Sequence, residues 1–145
     1  MNHLIKGFAL IFIFNTVSFG LSAKNEVKQL ICEYKTNPLG IDVLNPRLSW
    51  QLTSSEKEVM QNAYEIRIAE TPEKLNSGKL IWSTGKVNGS QSVGVVYNGP
   101  SLLSMQRVYW QVRVWDNKNE ATAWSETASW EMGILKPTDW KASWI

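Results

Sequence analysis

The chain has 145 residues, 43% hydrophobic and 19% charged, which is room for one domain of ordinary size and too apolar for a disordered or collagen-like polymer. Fifteen Lys and Arg against 13 Asp and Glu leave a formal net charge of +2, too even to point to a nucleic acid or an anionic membrane as partner. One cysteine, Cys32, excludes an internal disulfide, and with one histidine, His3, it supplies too few ligands for a metal site.

The aromatic residues divide the chain. All four Phe (Phe8, Phe12, Phe14, Phe19) lie near the start, and all eight Trp lie from Trp50 onward. Met1 to Ala23 carries Lys6 ahead of an unbroken apolar run from Phe8 to Phe14, then smaller residues up to Ala23. That run is too short to span a bilayer stably, and the layout predicts a secretory signal peptide over 1–23. Cleavage after Gly20 is an alternative, and an uncleaved anchor is the competing reading of the same segment. A lipoprotein reading needs a cysteine directly behind the apolar run, and Cys32 lies too far downstream.

From residue 24 the pattern is strands and turns. Leu30, Cys32 and Tyr34 alternate with polar neighbours, broken by Ile31, and Asn37-Pro38-Leu39-Gly40 and Asn45-Pro46 mark turns. Leu48, Trp50 and Leu52 alternate with Arg47, Ser49 and Gln51, the period of two of a half-buried strand. Residues 54–60 read as a polar loop. Tyr64, Ile66 and Ile68 then alternate with Glu65, Arg67 and Ala69. Thr71-Pro72-Glu73 predicts a short helical turn closed by Gly78. Residues 80–84 and 92–97 give two more short strands, with glycine turns between them. The strongest strand is 107–116, with Val108, Trp110, Val112 and Val114 on one face and Tyr109, Gln111, Arg113 and Trp115 on the other. Asp116-Asn117-Lys118-Asn119 makes a turn, and a last strand covers 128–134 with Trp130 and Met132 on one side.

About seven short strands with almost no helix predict an all-β, immunoglobulin or fibronectin type III-like antiparallel sandwich over 24–134. Residues 135–145 read as a linker into a further β-domain. Trp50, Trp110 and Trp130 share parity with aliphatic residues and are expected in the core, where a large ring fills the place of the missing disulfide. Glu65, Arg67, Arg113 and Glu131 are expected to face outward as cross-strand charge pairs that fix register.

Little in the sequence supports chemistry within this chain. His3 leaves with the signal peptide, which removes Ser–His and Cys–His nucleophile pairs. Asp116, Glu120, Glu126 and Glu131 could in principle supply the carboxylates of a glycoside hydrolase pair, but three of the four sit in or beside turns, where solvated surface acids are the default. Gly85, Gly89, Gly94 and Gly99 are spaced as turns and form no phosphate loop, so no cofactor is predicted. No catalytic residue is assigned.

Several blocks together resemble the opening of bacterial α-L-rhamnosidases of glycoside hydrolase family 78. They are Cys32-Glu33-Tyr34, residues 37–42 (NPLGID), 46–50 (PRLSW), 63–66 (AYEI), 82–87 (WSTGKV), 109–116 (YWQVRVWD), 123–126 (AWSE) and 130–133 (WEMG), closing with 139–145 (DWKASWI). The resemblance implies a fibronectin type III-like module. In that family it precedes other β-domains and an (α/α)6 barrel, whose two glutamates hydrolyse terminal α-L-rhamnose with inversion. No position here matches the barrel motifs, so the resemblance implies a member truncated before its catalytic domain. The implied partners are the neighbouring β-domains, the barrel and, through them, rhamnose-containing polysaccharide. No membrane contact is expected after signal cleavage.

Two roles compete. In the first, the sandwich is architectural, and Tyr109, Arg113 and Trp115 with Trp140 and Trp144 form interdomain surface. In the second it is a carbohydrate-binding module with an aromatic platform, to which Trp82 and Tyr97 contribute. Tyr109 and Trp115 serve neither role if they only cover Arg and Lys stems on neighbouring strands. Exposure of Trp82, Tyr97, Trp115 and Trp124 separates the first two: one flat patch favours sugar, and dispersal favours architecture.

Overall fold

The computed structural model describes residues 24–141. Its strands are β1 (Asn25–Cys32), β2 (Arg47–Ser54), β3 (Gln61–Ala69), β4 (Trp82–Ser83), β5 (Val87–Asn88), β6 (Val95–Val96), β7 (Arg107–Asp116) and β8 (Ala128–Glu131). A helix α1 (Pro72–Ser77) follows β3, and a 3-10 turn covers Pro137–Asp139. One sheet runs β1-β2-β6; the other runs β4-β3-β7-β8, with β5 also on the outer edge of β3. All strand pairs are antiparallel. This is the two-sheet, immunoglobulin-like sandwich that the alternation predicts.

The two inner faces meet over an aromatic core. Trp50 of the first sheet packs on Tyr64 of the second, ring centroids 5.2 Å apart. Trp82, Tyr97, Trp130 and Trp110 then touch in series at 5.1, 5.7 and 6.5 Å, each pair steeply tilted as aromatic quadrupoles prefer. The indole N–H groups of Trp110 and Trp130 have no acceptor among the described residues. Each orphaned donor costs about 1–3 kcal/mol. Burying a ring of ~200 Å² at ~25 cal/mol per Å² contributes about 5 kcal/mol, so ring burial wins.

Periodicity explains most elements, and backbone chemistry explains the departures. In β1, Asn25 and Val27 point inward, then Leu30 and Cys32. The parity slips because Gln29 takes a left-handed φ of 51°, and Gln29 and Leu30 together oppose Trp50 as a bulge. This accounts for Ile31 breaking the pattern. Cys32 is fully buried, and burial pushes its thiol up to about 12, so it is inert packing. Tyr34, expected to continue the inward alternation, is instead 78% exposed. Glu33 and Tyr34 form a two-residue turn with φ of 46° and 64°, closed by Cys32–Lys35 backbone bonds of 2.9 and 3.0 Å. Neither residue favours that conformation. Arg47 compensates: its backbone N–H, Nε and Nη2 all donate to the Glu33 carboxylate, and its guanidinium lies 5.0 Å from the Tyr34 ring centroid.

The predicted helical turn forms as α1. The Thr71 hydroxyl accepts from Lys74 N–H, and Gly78 closes the helix at φ 75°. The expected strand over 92–97 shrinks to β6, and its Tyr97, expected on the surface, is wholly buried with its hydroxyl donating to Pro100 O at 2.7 Å. A Cβ on Gly99 would sit 2.5 Å from the Tyr97 ring, so that position must be glycine for the ring to fit. Residues 37–41 cover the free edge of β8. Asn37 Oδ1 accepts from Ser129 N–H, Pro38 O from Glu131 N–H, and Ile41 bridges Met132 in parallel.

Asp116, expected as a solvated turn acid, is fully buried. Its carboxylate accepts from the N–H groups of Lys118 and Glu120 and from Asn25 Nδ2, all at 2.9 Å. Desolvation pushes its pKa up, but those hydrogen bonds more than offset it, and the net shift is below the ordinary value of 3.8. A depressed folded pKa means stability that is present above the unfolded value and lost as pH falls through the folded one. Asp116→Asn is therefore expected to lower stability at pH 7 by about 1–3 kcal/mol. Urea denaturation should show the two stability curves converging as pH drops below about 4; parallel curves would contradict the assignment.

Candidate functional site

The outer face of the five-stranded sheet brings Trp115 and Trp124 together with charged side chains of β3 and β7. The register of β3 and β7 sets Glu65 opposite Arg113 and Arg67 opposite Gln111. Arg113 Nε and Nη2 donate to Glu65 Oε2 at 2.9 and 2.7 Å. Arg67 Nε and Nη2 donate to Gln111 Oε1 at 3.0 and 2.6 Å. Gln111 Nε2 in turn donates to Ser125 O and Thr127 Oγ1, so the buried amide is fully engaged. Each guanidinium is thereby held by two hydrogen bonds to one acceptor oxygen.

Two tryptophans insert between the cations. Arg67 Cζ lies 4.0 Å from the Trp124 ring centroid and Arg113 Cζ 4.6 Å from it. Arg113 Cζ is also 4.9 Å from Trp115, whose ring has Lys86 Nζ at 4.6 Å. The order Arg67–Trp124–Arg113–Trp115–Lys86 is a ladder of alternating cations and rings. Burial, and secondarily the Arg113 charge, lowers the pKa of Arg67, and a guanidinium stays protonated regardless. Trp124 reaches this face from an irregular segment, 121–127, that follows β7 without forming a strand. There the Ser125 and Thr122 hydroxyls accept from Val112 N–H (3.0 Å) and Val114 N–H (3.1 Å) in place of carbonyls. On the other side of the sheet Thr84 Oγ1 accepts from Ile66 N–H at 2.9 Å.

The seven surface candidates from the sequence do not converge. Tyr109, Arg113 and Trp115 share this face, half-buried, with Tyr109 outside the ladder. Trp82 lies half-buried with its ring edge-on to Tyr97, which is core. Trp140 is exposed at the far end of the sandwich, and Trp144 lies outside the described residues, as does 1–23. Sequence parity places Glu65, Arg67 and Arg113 outward, but it gives no sign that Lys86 and Trp124, both in irregular segments, complete the stack.

Three of the four carboxylates named from the sequence are occupied structurally, and the fourth, Glu126, is exposed. Glu131 pairs with Arg107 at 2.9 Å, Glu120 lies 3.4 Å from Lys24, and Asp116 caps its turn. Among the described residues no cluster of three His, Cys, Asp or Glu side chains is arranged to hold a metal ion.

Residues 27–136 match the model of the family described as Rha78A-like, N-terminal immunoglobulin domain. The chain belongs to this family. It is 40% identical over 125 residues to an α-L-rhamnosidase of Formosa agariphila, covering 86% of this chain and 14% of the relative. It is 43% identical over 110 residues to an α-L-rhamnosidase of an Alteromonas species, covering 75% of this chain and 12% of the relative. The crystal structure of Streptomyces avermitilis α-L-rhamnosidase complexed with L-rhamnose superposes with a TM-score of 0.79 at 40% identity, over 83% of this chain and 12% of that one. The chain thus spans about one eighth of the length of the curated relatives it matches.

For this Rha78A-like domain the ladder is a clamp across β3, β7 and the 121–127 segment. Partly desolvated cation–π contacts contribute about 0.5–2 kcal/mol each, and Arg113 makes two of them besides its pair with Glu65. Arg113→Gln is expected to cost about 2–3 kcal/mol in urea denaturation. Lys86→Gln, at the open end, should cost a small fraction of that, and equal effects would refute the ladder.

Proposed function

We propose that this chain is the architectural opening module of an exported α-L-rhamnosidase, a sandwich that positions neighbouring domains and takes no part in bond cleavage. One observation carries the reading: the matched region forms a sandwich of its own yet accounts for only 12–14% of relatives named for that activity. Hydrolysis of terminal α-L-rhamnose, and contact with rhamnose-containing polysaccharide, then belong to parts of the polypeptide beyond this domain. Its partners are the neighbouring β-domains and the catalytic barrel. Export rests on the signal-peptide layout of 1–23 and implies a periplasmic or extracellular location.

The alternative, a carbohydrate-binding module, needs rings with a free flat face. Trp115 and Trp124 each already carry two cations, Trp82 turns its ring onto Tyr97, and Tyr97 is buried. A sugar stacking on Trp124 would have to displace Arg67 or Arg113, each held by its own hydrogen bonds. The dispersal of these rings supports the architectural reading.

Purified mature chain incubated with an aryl α-L-rhamnoside is expected to release no aryl alcohol, and L-rhamnose is expected to leave its thermal unfolding unchanged. Turnover that co-purifies with the chain and disappears on Asp116→Asn or Glu131→Gln would overturn the non-catalytic reading. A rhamnose-dependent rise in Tm would favour the sugar-binding alternative.

A further inference from the structure

We propose that the end of the sandwich from which residues 133–141 emerge is the docking surface for the domain that follows this one in the longer relatives, and that the aromatic outer face is not. The inference rests on the architectural reading and says where its contact lies.

Exposed large apolar side chains are concentrated at this end. The loop 38–45 leaves Leu39, Val43 and Leu44 in solvent. The tip 102–106 adds Leu103 and Met105, 73% and 66% exposed. The emerging segment itself adds Ile134 and Trp140. These account for seven of the twelve exposed large hydrophobic residues described. Exposed apolar side chains gathered at one end of a domain point to an interaction site.

The three segments are one rigid unit. Gly133 N–H donates to Ile41 O at 2.7 Å, and Met105 N–H donates to Gly133 O at 3.0 Å. The Ser104 hydroxyl accepts from Leu135 N–H at 2.9 Å and bonds the Asp139 carboxylate. Met105 is held in a left-handed conformation, φ 61°, by a tip that Gln106 closes: its Oε1 accepts from Leu103 N–H and its own N–H donates to Leu103 O. Hydrogen bonds therefore hold the apolar side chains outward. They are not the frayed end of a loop, and a preorganised apolar surface loses little entropy on docking.

Continuity of the chain names the occupant. This family's domain is N-terminal, and most of each relative's length lies outside the matched region. In the relatives the polypeptide beyond the domain continues from the segment that matches the end of this sandwich, beside this surface. A domain tethered by a few residues has a high effective concentration at the end it leaves from. The ladder face, by contrast, already has its rings and cations satisfied by one another.

Two methionines provide a matched probe. Met105 and Met60 are 66% and 65% exposed, but Met60 lies at the opposite end, next to the Gln61–Asp116 pair that closes β7. Hydroxyl-radical footprinting would follow their oxidation in the present chain and in a fusion. In the fusion this chain replaces the matching segment of the Streptomyces avermitilis enzyme. Met oxidation tracks exposure, so the Met105/Met60 ratio should be near one in the chain alone and fall about fivefold or more in the fusion. Leu103→Gln with Met105→Gln should lower the Tm of the fusion while leaving that of the chain alone unchanged. An unchanged ratio in a fusion that still unfolds as one cooperative unit would overturn the docking surface and leave the architectural role standing. An unchanged ratio with two independent unfolding transitions would remove the architectural role as well. A ratio that falls with concentration in the chain alone would assign the surface to a second copy and overturn the proposal.

Discussion

The antiparallel pairing of β3 with β7 holds the rest of the molecule in register. Its inward residues, Ile66, Ile68, Trp110, Val112 and Val114, supply much of the core, and its outward residues, Glu65, Arg67, Gln111 and Arg113, form the anchored part of the ladder. A slip of one residue would turn the rings of Trp110 and Trp115 to the wrong faces and break both charge-assisted pairs. Every remaining element of the five-stranded sheet attaches to one free edge of this pair: β4 and β5 to β3, and β8 with the 121–127 segment to β7.

Where strands stop, side chains continue the ladder. Thr84, Thr122 and Ser125 hydroxyls accept from the N–H groups of Ile66, Val114 and Val112 beside irregular backbone. Arg47 holds the unfavourable turn at Glu33 and Tyr34, and Asn37 covers the edge of β8. All of these residues except Thr122 fall in the blocks that resemble family 78 openings. Those blocks therefore have a physical content: a clamp on a strained turn, a cover on a sheet edge, or hydroxyls that replace backbone acceptors.

The sandwich was legible because its strands obey a period of two and its rings share parity with Val and Ile. The core positions of Trp50, Trp110 and Trp130 follow from that parity, and α1 from its capping residues. What was not legible depends on contacts distant in sequence. Tyr34 leaves the alternation because the chain turns there, Tyr97 enters the core because Gly99 makes room, and Asp116 is buried because Asn25, 91 residues away, reaches it. The ladder was only half visible, since Lys86 and Trp124 lie on segments with no periodicity. Of the apolar end at 133–141 only Trp140 and the linker were legible, because the rest joins loops far apart in the sequence.

Architecture and location of function follow from the same arrangement. The domain's polar groups hold its own register and its outer rings are stacked against its own cations, which fits the proposed architectural role. The most direct test of the account is native-state hydrogen exchange resolved by residue. Amides in the paired stretches 63–69 and 109–115 are expected to exchange only by global unfolding, with protection matching the full unfolding free energy, while those of β5 and β6 exchange by local opening. If the β3 and β7 amides exchanged as readily as those of β5 and β6, the pair would not be the frame on which this domain depends.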